Sequence, residues 1–129
     1  MKGDVNPRLA AGTLLFTGYD DLEIKVNDQR YNSGLSIHAG VLTAPWGPDY
    51  LNDLKIEHLA AFITSAPEIL ILGTGRKTQF PNEDVLAYLT DKHIGFECMD
   101  SRAAARTYNI LVAEGRTVSA ALLLPNTRK

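Results

Sequence analysis

The sequence predicts an α/β protein in which an N-terminal antiparallel β meander packs with a parallel or mixed sheet. Two observations support this fold class. The first half contains short apolar runs separated by turn residues, whereas the second half alternates apolar strands with helical spacing in the order β-α-β-α-β. With 129 residues, 45% of them hydrophobic, the chain fits one domain and has no room for two independent cores.

The meander is assigned to residues 14–47, after a loose leader at 1–13. Residues 22–26 alternate apolar and charged side chains, which is typical of a half-buried strand. Asn27 and Asp28 tolerate positive φ and predict a two-residue turn. The remaining predicted strands are 14–16, 29–31, 35–38 and 41–43.

The α/β part is assigned to residues 53–124. Its first helix has apolar residues three or four positions apart, with Asn52 or Asp53 as the expected N-cap and Pro67 as the end. Residues 68–72 follow with four consecutive apolar side chains. Such a run is typical of a strand buried on both faces, as in a parallel sheet.

Two further helices follow in this part. One is predicted at 82–92, with Phe80 packing against its first turns, and leads to a strand at 94–99. The other has Ser101 as its expected N-cap and Gly115 as its terminator. A last apolar strand completes the alternation, which favours parallel strands joined by right-handed crossovers.

Composition narrows the function classes. The net charge of −2 disfavours a dedicated nucleic-acid binder, which usually has a basic surplus. Cys98 is the only cysteine, so no internal disulfide forms, and a reducing compartment, the cytoplasm, is expected. No apolar run approaches the roughly 20 residues of a membrane span. The three histidines lack ligand spacing, so we expect no metal and no cofactor; the oligomeric state stays open.

The first candidate site is the loop after the predicted strand at 68–72. A dinucleotide fingerprint would need a third glycine where Thr78 stands, and the loop runs on before its helix begins. A tight glycine turn beside two solvated bases and an anion-binding loop both fit the pattern. The candidate residues are Gly73, Thr74, Gly75, Arg76 and Lys77.

The second candidate site follows the next strand. Because the carboxyl ends of parallel strands meet at one edge, Gly73 and Asp100 should lie together there, where open α/β sheets commonly bind ligands. The helix beginning at Ser101 adds free N–H groups, and Arg102 adds charge, so the edge could hold an anion; a capping turn with a surface ion pair is the alternative.

The third candidate is a stripe on the last helix, formed by Arg102, Arg106 and Asn109. For the two arginines a solvated face is the simpler interpretation. Asn109 is different, because asparagine is a mediocre helix former and usually has a partner when it lies mid-helix. We expect it to bond a neighbouring loop.

Several of these motifs together resemble a known family. They are Gly73-Thr74-Gly75 after an aliphatic strand, Met99-Asp100-Ser101, and the run from Ala104 to Asn109, followed by Glu114-Gly115-Arg116. The chain is similar to the domain-of-unknown-function 498 family. The resemblance implies a three-layer α/β fold with an extra β portion. It also implies action through protein contacts, as in the mitochondrial members that assist assembly of respiratory complex I.

Two functional hypotheses follow. The leading one is a non-enzymatic protein-interaction or assembly-factor-like module, because no acid/base pair or activated nucleophile is evident and because of the resemblance. Its partner would be another protein. The alternative is a small-anion or nucleotide-binding protein, with or without catalysis, at the carboxyl edge of the sheet.

Overall fold

The structure, a computed structural model, describes residues 12–125. This part of the chain contains eight strands and three α-helices. Three strands form a small antiparallel sheet: β1 (Phe16–Tyr19), β2 (Ile24–Val26) and β3 (Gln29–Tyr31). Five strands form the main sheet: β4 (Leu35–His38), β5 (Val41–Thr43), β6 (Ile69–Gly73), β7 (Gly95–Met99) and β8 (Val118–Leu122). The helices are α1 (Ile56–Leu59), α2 (Glu83–Asp91) and α3 (Ser101–Ala113), with 3₁₀ turns at Leu51–Asp53 and Ala60–Phe62.

The main sheet is mixed, with the strand order β5-β4-β8-β6-β7. Strands β6, β7 and β8 run parallel, while β4 pairs antiparallel with β8 and β5 pairs antiparallel with β4. Of the two arrangements that the sequence left open, the mixed sheet is therefore confirmed. No helix among the described residues is both long and apolar enough to cross a bilayer.

The strand order explains why the helices cover both faces. The chain steps from β6 to its neighbour β7 through α2, then steps back across β6 to β8 through α3. Both crossovers join parallel strands, and right-handed crossovers in opposite directions put their helices on opposite faces. The helices α2 and α3 accordingly pack in different cores, which gives the three layers that the family resemblance implied.

Each face of the main sheet has its own core. The α3 face buries Phe16 and Ile24 of the small sheet with Ala104 and Tyr108 of α3, so the small sheet and α3 together form one outer layer. The opposite face buries residues of α1, α2, the segment between β5 and α1, and the 3₁₀ turn at Ala60–Phe62, namely Leu51, Leu54, Leu59, Phe62, Val85 and Leu89. The central strands are apolar on both sides because they lie between these cores.

The predicted meander divides into two sheets. Gln29 and Arg30 of β3 are exposed, so this strand ends the small sheet. In contrast, β4 is buried on both faces and pairs Leu35 with Leu122 of β8, which makes it an interior strand of the main sheet. The strands predicted at 22–26, 29–31, 35–38 and 41–43 are present, whereas β1 shares only Phe16 with the strand predicted at 14–16 and extends to Tyr19. Pairing between distant segments decides which sheet each strand joins.

The first helix differs most from its prediction. Neither Asn52 nor Asp53 caps it, because α1 begins at Ile56 and Lys55 is the N-cap residue. The imidazole Nδ1 of His58 accepts a hydrogen bond from the Lys55 amide, which fixes the helix start two or three residues later than expected. Only one α-helical turn and a 3₁₀ turn form, and Ser65 at φ +57° reverses the chain before Pro67.

The second helix begins after Asn82 as predicted, and its Val85 and Leu89 are buried. The expected packing of Phe80 against this helix is wrong, because 69% of Phe80 is exposed. The loop between Gly75 and Asn82 holds the ring away from the helix, in solvent.

Candidate functional site

The loops that follow the parallel strands β6, β7 and β8 meet at one edge of the main sheet. We call this edge the carboxyl rim, made of residues 73–77, 100–102 and 123–125. Gly73 pairs with Met99 on one side and with Leu122 on the other, so the three loops emerge side by side. The predicted juxtaposition of the glycine loop and the entrance of the third helix is present.

Ser101 joins two of these loops. Its fully buried hydroxyl accepts a hydrogen bond from the Gly75 amide at 2.9 Å and donates one to the Leu123 carbonyl at 2.7 Å. The Ser101 amide in turn donates to the Gly75 carbonyl at 2.8 Å.

The prediction that Ser101 caps α3 is wrong. Asp100 is the N-cap, because its carboxylate accepts from the Ala103 amide at 2.8 Å.

Gly73 makes this close approach possible. A Cβ atom at position 73 would lie 2.7 Å from the Ser101 hydroxyl and 2.9 Å from its Cα. The neighbouring Gly75 has φ +99°, a conformation that side chains disfavour. The two glycines therefore serve a tight internal contact and a turn.

Thr74 closes the loop on itself. Its amide donates to the Met99 carbonyl at 2.9 Å, and its hydroxyl donates to the Lys77 carbonyl at 2.5 Å. The same hydroxyl accepts from the Gln79 amide at 3.2 Å. Thr74 is buried, so the loop is a compact unit seated on the sheet.

The rim also contains the topological switch point of the sheet, since the loops after β6 and β7 leave toward opposite faces. Open α/β proteins often bind ligands in the crevice between two loops that diverge in this way. Here the amides of Thr74, Gly75, Ser101 and Ala103 donate to partners within the chain, so these amides are already engaged. This geometry does not favour the anion hypothesis at the crevice itself.

The charged side chains of the rim reach outward. Arg76 forms an ion pair with Asp21 at 2.9 Å, which ties the glycine loop to the turn between β1 and β2. Arg102 lies over the ring of Tyr19, 5.6 Å from its centroid, in a cation–π contact. Burial raises the pKa of the Tyr19 hydroxyl, which donates to the Leu123 carbonyl at 3.3 Å.

Lys77 is exposed and has no ion pair among residues 12–125.

Arg106 and Asn109 lie farther along α3. The Asn109 amide accepts from the Phe16 backbone N–H at 2.9 Å and donates to the Phe16 carbonyl at 2.7 Å. It thus bonds a distant segment, as the sequence suggested, although the partner is strand β1 rather than a loop. Arg106 is exposed.

The chain matches, over residues 16–123, the family described as "Protein of unknown function (DUF498/DUF598)". That span contains every strand and helix of the described residues. The chain belongs to this family. The resemblance inferred from the motifs is confirmed, because the match includes both the glycine loop and the start of α3.

Three relatives place this DUF498 chain among known proteins. It is 33% identical, over 62% of its own length and 45% of the relative, to NADH dehydrogenase (ubiquinone) 1 alpha subcomplex assembly factor 3 of Xenopus tropicalis. It is 32% identical, over 58% of its length and 61% of the relative, to the 13 kDa major membrane protein of Francisella tularensis. An NMR structure from Xanthomonas campestris superposes with TM-score 0.79 and 32% identity, covering 97% of this chain and 96% of that one.

Sequence reasoning missed two exposed apolar residues beside the rim of this DUF498 chain. Leu22 is 70% exposed and Phe80 is 69% exposed. The Asp20 carboxylate accepts hydrogen bonds from the Leu22 and Glu23 amides, which lowers the Asp20 pKa and holds Leu22 at the tip of a turn. The adjacent pair Asp20-Asp21 was a usable signal for that turn.

Cys98 is a poor nucleophile in this setting. Burial raises the pKa of its thiol to about 11, so little thiolate forms near neutral pH. Among the described residues, no three histidine, cysteine, aspartate or glutamate side chains come together as metal ligands.

Proposed function

We propose that this chain is a non-enzymatic protein-interaction module of the assembly-factor type and that it contacts its partner with the carboxyl rim. The observation that carries the proposal is the pair of exposed apolar side chains, Leu22 and Phe80, beside the cations of the rim. Large apolar side chains surrounded by polar groups are typical of protein contact sites.

Contacts within the chain hold the loops that carry these side chains before any partner binds. Ser101 and Thr74 bond the rim loops internally, and the Arg76–Asp21 ion pair links the turn that carries Leu22 to the loop that carries Phe80. A surface held in one conformation loses less entropy when a partner binds. The residues proposed to touch the partner are Leu22, Phe80, Arg76, Lys77 and Arg102, while Gly73, Thr74, Gly75 and Ser101 position them.

The curated relatives support the same interpretation, since several of them are named as assembly factors. The chain spans about half the length of the first of these assembly factors that it matches. These relatives therefore support only the proposed class of function, and their partners are not assigned to this chain. The alternative, an anion or nucleotide site, has no comparable support, because the rim amides named above are engaged.

Site-specific photo-crosslinking in cells that express the chain tests the proposal. A benzophenone amino acid replaces Phe80 in one variant and Leu22 in another. The matched control places it at Ile110, which is 53% exposed on α3 and lies away from the rim. We expect the same crosslinked protein from positions 80 and 22 and not from 110.

Point variants then ask whether the contact depends on the rim. Phe80→Ala with Leu22→Ala should weaken binding to the crosslinked partner at least tenfold, while Ile110→Ala should leave it unchanged. Equal yields from all three crosslinking positions, or none from the rim, would refute the proposed surface.

We place the protein in the cytoplasm, as its cysteine usage suggests. The Francisella relative is named a membrane protein, so the assignment needs its own test. Fractionation of native cells should recover this chain in the high-speed supernatant; recovery in washed membranes would contradict it.

A further inference from the structure

A cavity opens on the α1 face of the main sheet, near the edge strand β5. Its volume is about 450 Å³, which is within the range of small-molecule sites. We call it the aromatic pocket and define it by Ser36, His38, Val41, Trp46, His58 and Phe62. None of these residues belongs to the carboxyl rim. Trp46 also lines a separate cleft that contains Leu22 and Pro125.

Four rings form the wall of the aromatic pocket in a continuous edge-to-face series. His38 packs on Phe62 at 5.2 Å, Phe62 on Trp46 at 6.2 Å, and Trp46 on His58 at 6.2 Å between centroids. The Trp46 indole N–H donates to the His58 carbonyl at 3.1 Å, and His58 Nδ1 accepts from the Lys55 amide. The wall is therefore held in place without a ligand.

The hydrogen-bond partners of His38 indicate its tautomer. Its Nε2 lies 2.8 Å from the Thr64 carbonyl, which only accepts, so Nε2 carries the proton. Its Nδ1 then accepts from the Ser119 hydroxyl at 2.7 Å. Both ring nitrogens and the Ser119 hydroxyl are thereby satisfied.

Ser36 is the exception. It is only 5% exposed, and because Leu35 and Ile37 turn to the α3 face, its hydroxyl lies on the pocket side of β4. No described residue hydrogen-bonds this hydroxyl, in contrast to the equally buried Ser119. Buried polar groups normally have a partner, and an unmade hydrogen bond is unfavourable.

We infer that the aromatic pocket binds a small aromatic molecule that carries one hydrogen-bonding group. The ring packs against the half-buried side chains of Trp46 and His38, which the buried Phe62 supports, and the polar group bonds the Ser36 hydroxyl. This inference does not depend on the proposed protein contact, because it uses a different surface and a different class of ligand.

The test compares phenol with toluene, which has nearly the same shape but no hydroxyl, by titration of the full ¹⁵N-labelled chain. We expect phenol to shift the Ser36 amide and the Trp46 indole N–H signals, and to bind at least fivefold more tightly than toluene. Ser36→Ala should remove that preference and leave toluene binding unchanged. Ala61→Trp fills the pocket from an exposed position and should abolish binding of both.

The amide signals of α3 report whether each variant remains folded. No shift at Ser36 or Trp46 up to 10 mM phenol, or shifts confined to another surface, would overturn the inference. So would a Ser36→Ala variant that keeps the preference for phenol or loses both ligands equally.

Discussion

At the scale of single residues, the carboxyl rim depends on a missing side chain and a buried hydroxyl. Gly73 leaves the space that Ser101 fills, and the Ser101 hydroxyl bonds the loops that follow β6 and β8. The family motifs at these positions therefore have a structural explanation. They hold the rim loops together, and the hydrogen-bond donors at these positions bond within the chain instead of facing a ligand.

Gly73→Ala should destabilise the protein by about 2 kcal/mol, because the new Cβ would overlap Ser101 and Leu122 in a packed region. Denaturant unfolding followed by circular dichroism measures the change. Gly18→Ala is the control, since the nearest atoms to its Cβ would all belong to the Lys25 side chain, with the flexible Cδ nearest at 3.1 Å. Equal losses at both positions would mean that close packing at Gly73 is not the cause.

Ser101→Ala should reduce the free energy of unfolding by about 2–3 kcal/mol, because it leaves the buried Gly75 amide and Leu123 carbonyl without this partner. Ser36→Ala is the matched comparison: a buried serine with no described partner, where the change should be within ~0.5 kcal/mol or stabilising. If the two variants lose equal stability, the hydroxyl of Ser36 has a partner after all.

At the scale of elements, α3 connects the two sheets. Its inner face packs in the core with β6 and β8, while Asn109 bonds both backbone groups of Phe16 in β1. The sequence allowed the prediction that Asn109 has a distant partner, because asparagine is unusual in mid-helix. The sequence did not allow the choice between Asp100 and Ser101 as the cap, since both residue types cap helices well. The choice depends on the distant Gly75 and Leu123, which bond the Ser101 hydroxyl and leave the cap to Asp100.

Asn109→Ala should weaken the attachment of β1 to α3. The loss of two hydrogen bonds at a partly buried site predicts about 2 kcal/mol of destabilisation. Native-state hydrogen exchange gives the sharper measurement, since the Phe16 amide should exchange much faster while amides of β6 keep their protection. Arg106→Ala, an exposed change on the same helix, should alter neither; unchanged exchange at Phe16 in Asn109→Ala would contradict the assigned role.

At the scale of the whole molecule, local patterns predicted the strands and crossovers but not the division into two sheets. The apolar pattern located β6 and β8 as continuous apolar runs, and α2 and α3 by their helical spacing. The spacing could not show that β4 leaves the meander to pair with β8, which follows about 80 residues later, since pairing depends on tertiary contacts. For the same reason the aromatic pocket, built from β4, β5 and α1, had no sequence signal of its own.

The shared core of the α3 face predicts that both sheets unfold together, as a single domain requires. Ile24 is completely buried in the small sheet, whereas Trp46, the only tryptophan, packs on the opposite face of the main sheet. Ile24→Ala should cost about 2–5 kcal/mol, and the unfolding midpoints from Trp46 fluorescence and far-ultraviolet circular dichroism should fall by the same amount. Leu22→Ala, in the exposed turn of the same sheet, should leave both midpoints nearly unchanged. If the Trp46 transition stays in place while circular dichroism shows a separate early step, the small sheet folds independently and the single-domain prediction is wrong.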